Sequence, residues 1–546
     1  MGVRRIIALV LGGTLLAGCS ASGGKSEQAA APTAPSASGT PRESAEQTGV
    51  LAAELLQGMS VEEKVGQLFM PTVRDAADGK RIIKKYKVGG FIYFPGNLSS
   101  PQAAAKLSNG LQAASRVPLL VGADEETGLV TRAKFATDFP GAMALAATGN
   151  TDLARAATAA TGAELRAAGV NLNFAPVADV NVNPDNPVIG VRSFGADPAL
   201  AGRMVTASIE GYRSAGVAAV AKHFPGHGDT NVDSHTGLPV IKNSTAKWQE
   251  LHAPPFQSAI AAGVDAIMTG HLVVPALDPS KQPATLSKKV LTGLLRGQLG
   301  FQGVIVTDSL SMAGAKVPGG APEAAVRALL AGADLLLMPP DLDAARAKVL
   351  GAVKSGRVPA ARLDDAVTRI LRLKENRGLF TDVRADPATA GQAVRAEHRR
   401  TAQEVATSAV TVVHNKNAVL PLKGSVYVEG PEQARIAAAL RKEGVQITGE
   451  QKAKTHVIVV TSASSGTRDH LKSTAKNRKV VYVAIASPYA LRYGGSSHAM
   501  AATYSGSEVS LRGLARVLSG KTPPKGRLPV SLPGGAPLGS GLTDPL

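Results

Sequence analysis

One cysteine and one tryptophan occur in 546 residues, and aromatic side chains make up only 4% of the chain. A single cysteine excludes an internal disulfide. Acidic side chains are scarce against basic ones, 42 Asp and Glu to 60 Lys and Arg, a formal net charge of +18. Such a balance favours anionic partners. The basic residues are scattered, however, and no dense Lys/Arg block interleaved with aromatics occurs, which argues against a nucleic-acid function. Long apolar runs are missing too. The one near the N-terminus, Ile6 to Leu16, is too short to span a bilayer as a stable helix. No serine sits in a G-x-S-x-G elbow, so a serine-hydrolase reading lacks its main part. No internal repeat at a solenoid period is present.

What is present is a globular composition, 44% hydrophobic and 19% charged, in a chain long enough for two or more domains. Arg4 and Arg5 precede the short apolar run, and Leu16-Ala17-Gly18-Cys19 follows. Positive, apolar, then small residues form a secretory signal peptide over 1–18. The last four resemble a bacterial lipobox, which implies that Cys19 becomes a lipidated N-terminus held at the outer face of the cell membrane. Residues 19–48, rich in Ala, Ser, Gly, Thr and Pro, read as a flexible tether.

Order begins near Ser60, where Ser60-Val61-Glu62-Glu63 fits a capping box opening a helix. Short apolar runs then alternate with Ala-rich helical stretches: Gly66 to Val73 (or part of that first helix), Gly89 to Phe94, Pro118 to Ala123, Val170 to Val180, Val217 to Phe224, Ala266 to Val273, Gly303 to Asp308 and Ala333 to Met338. Eight candidate strands alternating with helices predict an α/β fold with a (β/α)8 barrel over 49–385, against a doubly wound open sheet. Several runs end in a polar residue: Asp124, Asp179, Lys222-His223, His271 and Asp308. Barrel active sites gather at the C-terminal ends of strands, which favours the barrel. Leu363, Val367, Ile370 and Leu371 have helical spacing and close on Gly378, the last barrel helix. A polar stretch over 385–400 separates a smaller α/β domain, 400–546. Its expected strands are Ala409 to Val413, Ser425 to Val428, Val457 to Val460 and Val480 to Ala486, and its expected helices Glu432 to Glu443 and Ser510 to Leu518.

The densest chemical signal is Lys222-His223-Phe224-Pro225-Gly226-His227-Gly228-Asp229-Thr230, followed by Asp233-Ser234-His235. Its spacing does not match a helical H-x-x-x-H pair, and Pro and Gly make it a loop, so a metal is not expected. Asp233 and His235, two apart, point to the same side of an extended loop. A carboxylate beside an imidazole sets its tautomer and stabilises the imidazolium, which suits a histidine that donates and then accepts a proton. The second signal is Val304-Ile305-Val306-Thr307-Asp308, an apolar strand ending in one carboxylate. Helix capping is one reading of Asp308, and a glycosidase nucleophile is the other.

These pieces resemble glycoside hydrolase family 3, in particular its N-acetylglucosaminidase branch. The resemblance rests on Ser60 to Phe69, Asp124 to Arg132, Arg192-Ser193-Phe194-Gly195, Lys222 to Asp229, Asp233-Ser234-His235 and Thr307-Asp308-Ser309-Leu310, with Ala418 to Leu422 and Gly526 to Val530 in the smaller domain. It implies Asp308 as nucleophile, His235 as acid/base and Asp233 as its orienting partner. It also implies that Asp124, Arg132, Arg192, Lys222 and His223 hold the sugar. The stretch Glu125-Glu126-Thr127-Gly128-Leu129 departs from the family's usual Gln-Glu-Gly-Gly-Arg.

The expected activity is that of a retaining exo-β-N-acetylglucosaminidase. It would act on peptidoglycan fragments or chitooligosaccharides ending in β-linked GlcNAc, as a lipid-anchored monomer without cofactor or nucleic-acid partner. Alternatives are a phosphorylase of the same family, a β-glucosidase or β-xylosidase, and an inactive glycan-binding lipoprotein.

Overall fold

A computed structural model describes residues 50–381 and 384–546. The expected signal peptide 1–18, Cys19 and the whole tether 19–48 lie outside the described residues. The capping box forms as the sequence predicts. Ser60 Oγ accepts the Glu63 N–H at 3.2 Å, and Glu63 Oε2 accepts the Ser60 N–H at 3.0 Å, opening the helix Val61–Gln67. That helix ends inside the first apolar run, which then straightens into β1, Phe69–Met70.

Seven more parallel strands follow: β2 Gly90–Tyr93, β3 Leu120–Ala123, β4 Leu172–Asn173, β5 Ala218–Phe224, β6 Ala266–Thr269, β7 Val304–Thr307 and β8 Leu336–Leu337. Each lies inside one of the eight apolar runs. Strands β2 to β7 neighbour one another in chain order. Phe69 registers with Leu336 between β1 and β8, while the pairs Thr72–Ile92 and Val306–Leu335 join β1 to β2 and β7 to β8. The circle is therefore closed, which is the (β/α)8 barrel and not an open doubly wound sheet. β1, β4 and β8 are only two residues long, much shorter than their apolar runs. Apart from Gly66 and Gln67, which close the first helix, the rest of those runs is mostly buried and lies outside the regular strands.

The second sheet contains β9 Thr411–Asn415, β10 Ser425–Glu429, β11 Gln446–Ile447, β12 Thr455–Val460, β13 Lys479–Ala484 and β14 Ala499–Ala502. Its order is β11-β10-β12-β13-β14-β9, parallel except for β9, which runs antiparallel to β14. Two strands went unseen in the sequence. β11 is two residues long, and β14 reads Ala-Met-Ala-Ala, with no β-branched or aromatic residue to mark it. The polar stretch over 385–400 also hides the start of the helix Ala396–Ala409. Ala402 and Val405 of that helix pack into the barrel core, and Ala409 packs into the core on one face of the second sheet.

Two sequence motifs far apart in the chain meet between the sheets. The Ala196 N–H donates to the Pro529 carbonyl at 2.8 Å, and a side chain at Gly195, whose φ is +108°, would collide with that carbonyl. Tyr489 Oη, from the second sheet's side, donates to the Asn181 carbonyl at 3.2 Å. The loop running from Asn181 to Gly195, which carries Arg192, is thus braced by the smaller domain.

Candidate active site

The side chains that end the barrel strands converge on one cavity of about 290 Å³. Asp124, Arg132, Arg192, Lys222, His223, His235 and Asp308 all line it. Asp124 follows β3, and Asp308 follows β7. Lys222 and His223 lie within β5, where the register against β6 slips between Lys222 and Phe224. Such a slip re-aims side chains, and here two adjacent residues both reach the mouth. Asp233 stands behind His235 and does not line the cavity itself.

A buried charge network forms one wall. Lys222 Nζ lies 2.8 Å from Asp124 Oδ1 and 2.7 Å from Glu126 Oε1. Glu126 also takes a bidentate pair from Arg192, Nε at 2.8 Å and Nη2 at 2.7 Å. Burial opposes ionisation of Glu126, but Lys222 and Arg192 outweigh it and hold the carboxyl well below the usual carboxylate range. Arg192 is raised in turn by Glu126, against the cost of burial. Arg132 stands 3.9 Å from Asp124 Oδ2, with its guanidinium 5.5 Å from the Phe94 ring centre. Its buried Nε has no hydrogen-bond acceptor among the described residues.

Asp308 is partly buried at the floor. Burial pushes its pKa up, but His223, His271, the Ser309 N–H at 2.7 Å and Lys222 carry it below the ordinary value, so it stands ionised. His271 Nε2 lies 2.9 Å from the Ser309 carbonyl and must donate to it, while its Nδ1 lies 3.0 Å from Thr285 Oγ1. Burial lowers the pKa of His271, opposed by the Asp308 charge and the Ser309 carbonyl. His271 therefore pins the peptide next to Asp308.

Asp179 is fully buried and holds both loop histidines. It accepts from the His223 and His227 backbone N–H groups at 3.2 and 2.7 Å, and its Oδ2 faces His223 Nδ1 at 2.7 Å. That contact turns His223 Nε2 toward the cavity. His235 Nδ1 lies 2.6 Å from Asp233 Oδ1, which also accepts the His235 backbone N–H at 2.9 Å. Burial raises the Asp233 pKa, but those two bonds outweigh it and keep the carboxylate charged. His235 is 60% exposed, at the open side of the cavity.

Three participants escaped the sequence reading. In the sequence Asp179 and His271 stand out only as strand-ending polar residues, and Glu126 only as part of an altered stretch. Glu126 had a signal: it lies two residues after Asp124 and so shares its side of an extended segment. Glu125 points the other way. It is buried, and its Oε2 accepts the Arg132 and Ala133 N–H groups, each at 2.8 Å, so it ties down the loop that carries Arg132. Burial pushes its pKa up from 4.5 to about 7, partly offset by those N–H groups.

The folded chain holds the Glu125 proton more tightly than the unfolded chain, so this group's contribution is complete below pH 4.5 and is lost as pH rises through about 7. Glu125→Gln keeps an acceptor for both N–H groups and never ionises. We expect the variant to gain on the order of 2–4 kcal/mol relative to wild type between pH 5 and pH 8. Denaturant unfolding at both pH values checks this, and parallel pH profiles for the two proteins would refute it.

Among the described residues, no group of three or more His, Cys, Asp or Glu is placed to hold a metal ion. The profile of the glycosyl hydrolase family 3 N terminal domain matches residues 60–373. A β-hexosaminidase A of Pseudoalteromonas piscicida is 38% identical over 379 residues, covering 64% of this chain but only 62% of that relative. A solved glycoside hydrolase family 3 β-N-acetylglucosaminidase from Paenibacillus sp. superposes with a TM-score of 0.80 at 34% identity, covering 88% of this chain and 100% of the other. The structure of the β-glucoside phosphorylase BglX superposes with a TM-score of 0.80 at 25% identity, covering 90% of this chain and 97% of the other.

Proposed function

The chain belongs to glycosyl hydrolase family 3, and on that premise we propose that it is a retaining exo-β-N-acetylglucosaminidase acting through Asp308 and His235. The observation that carries the reading is one cavity in which an ionised Asp308 and an Asp233-backed His235 stand with Asp124, Arg192 and Lys222. Asp124 is an acceptor suited to paired hydroxyls, and the Arg132 guanidinium and Lys222 are donors for sugar oxygens.

In the first step Asp308 Oδ forms a bond to the anomeric carbon as the glycosidic C–O bond breaks, and His235 Nε2 gives its proton to the leaving oxygen. The Asp233 carboxylate on Nδ1 stabilises the imidazolium that makes this donation possible. In the second step water adds to the anomeric carbon, its proton passes to His235 Nε2, and the Asp308 ester bond breaks. The acid/base is thus an imidazole, which places no second negative charge opposite the nucleophile. We place the enzyme outside the cell membrane on a lipidated Cys19, with terminal β-GlcNAc of peptidoglycan fragments or chitooligosaccharides as substrate. A β-hexosaminidase among its relatives and a β-N-acetylglucosaminidase among its structural neighbours support the sugar.

A phosphorylase is the second reading, favoured by the likeness to BglX and by a base that would repel phosphate less than a carboxylate. The test is aryl β-GlcNAc against aryl β-glucoside, with and without phosphate. We expect GlcNAc release at least about tenfold faster than glucose release, with free sugar as product. Sugar phosphate as product would replace hydrolysis by phosphorolysis. No turnover by the folded chain would leave only a binding role. Fractionating cells beside Cys19→Ala checks the anchor: wild-type activity should sediment with membranes and the variant's should not.

A further inference from the structure

The second sheet has its own groove, at the end away from the barrel mouth. Strands β12 and β13 begin at this groove with Lys454 just before Thr455, and with Lys479. Beyond the other end of β13, Ile485 lines a separate cleft with Glu126 and Arg192. A six-residue strand separates the two ends by about 20 Å. The groove has a volume of about 490 Å³, larger than the catalytic cavity.

Its lining is charged with one sign only. Lys423 comes from the loop after β9, Lys454 from the approach to β12, and Lys476 and Arg478 from the turn after the helix Ser465–Ala475. Lys479 comes from β13, and His498 from the approach to β14. No carboxylate lines it. Among the described residues, none of these five cations lies in a salt bridge, whereas the catalytic cavity balances Arg132, Arg192 and Lys222 with Asp124, Glu126 and Asp308. Arg478 is fixed, donating to the Ala453 carbonyl at 2.7 Å and to the Gln451 carbonyl at 3.3 Å. His498 Nδ1 accepts the Val480 N–H at 3.1 Å, which leaves its Nε2 as a donor.

A helix C-terminus accounts for a cation at Lys476 through the macrodipole. It does not account for Lys423, Lys454 and Lys479, which arrive from separate segments. Like charges brought together repel and raise the energy of the folded chain unless an anion neutralises them. The concavity suits a strand that enters it better than a flat surface that rests on it.

We propose that this groove binds a linear phosphodiester polyanion, a polyol phosphate chain, and so docks the enzyme on an anionic polymer while the barrel mouth stays open. The test is binding of the full chain to poly(glycerol phosphate), followed by fluorescence anisotropy against salt. With five cations engaged, affinity should fall about 100-fold between 50 and 200 mM salt. Lys454→Glu/Lys476→Glu/Lys479→Glu should weaken binding at least about tenfold, with hydrolysis of aryl β-GlcNAc unchanged. A control with the same charge change on other exposed lysines, Lys80→Glu/Lys84→Glu/Lys288→Glu, should weaken it less than about threefold. Equal losses in both variants would mean that net charge alone attracts the polymer, and would overturn the site. Absence of binding would overturn it as well. Binding to phosphatidylglycerol vesicles without binding to the free polymer would replace the strand by a membrane surface.

Discussion

Asp308→Asn is expected to lower kcat/KM on aryl β-GlcNAc by on the order of 10⁴-fold or more, with little change in stability. The amide oxygen is a poor nucleophile, and no other carboxylate stands at the same point of the cavity. Asp124 and Glu126 are both committed to Lys222. The side chain's hydrogen bond is local: Oδ1 accepts the neighbouring Ser309 N–H, and an amide can keep that bond. Two measurements decide the matter. Initial rates on the aryl glycoside give the loss, and intact-mass analysis with a slowly turned-over substrate gives the adduct, which should map to the peptide containing Asp308 in wild type and be missing in the variant. A variant that retains a tenth of wild-type turnover would sink the nucleophile assignment. Because Asp308 is held below the ordinary carboxylate range, the fall in rate at acid pH should not arise from its protonation in the mildly acidic range.

The second large effect is expected at Glu126, which the family resemblance alone did not single out. Its carboxylate is 5% exposed and neutralises two cations at once, Lys222 at 2% and Arg192 at 11% exposure. Removing one member of such a network leaves buried charge without a partner, which costs about 3–5 kcal/mol. Glu126→Ala should therefore lower stability by that amount. It should also lower kcat/KM by on the order of 10²-fold or more, because Lys222 and Arg192 lose the group that fixes their positions. Glu126→Gln should fall between wild type and Ala in stability, since it keeps the shape and one acceptor but not the charge. Denaturant unfolding and the same aryl glycoside assay read both quantities. Wild-type stability together with wild-type rates in Glu126→Ala would show that Lys222 and Arg192 are held by other groups.

Much of the architecture was legible because barrel strands are buried on both faces and so leave apolar runs that end abruptly. The runs closing on Asp124 and Asp308 marked both the strands and the ends that line the cavity. The pair Asp233 and His235 was legible for a local reason, since residues two apart share a side and the contact needs no distant partner. Strand β14 was invisible because an alanine run carries no β signature, and the helix Ala396–Ala409 because its buried residues lie at its far end.

What the sequence determined by itself was therefore local: where buried segments begin and end, the residues that end them, and the motifs that mark the family. What only the tertiary structure decided was which of those residues answer one another. Glu126 meets Arg192 across 66 residues and Lys222 meets Asp124 across 98, and Asp179 holds two histidines that follow it by more than forty positions. The barrel itself closes through a two-residue pairing of β1 with β8, at opposite ends of the domain. The physical reason is that charge neutralisation and strand pairing depend on distance in space. A residue's own type shows only that it needs a partner, and the closure of the barrel decides which one is within reach.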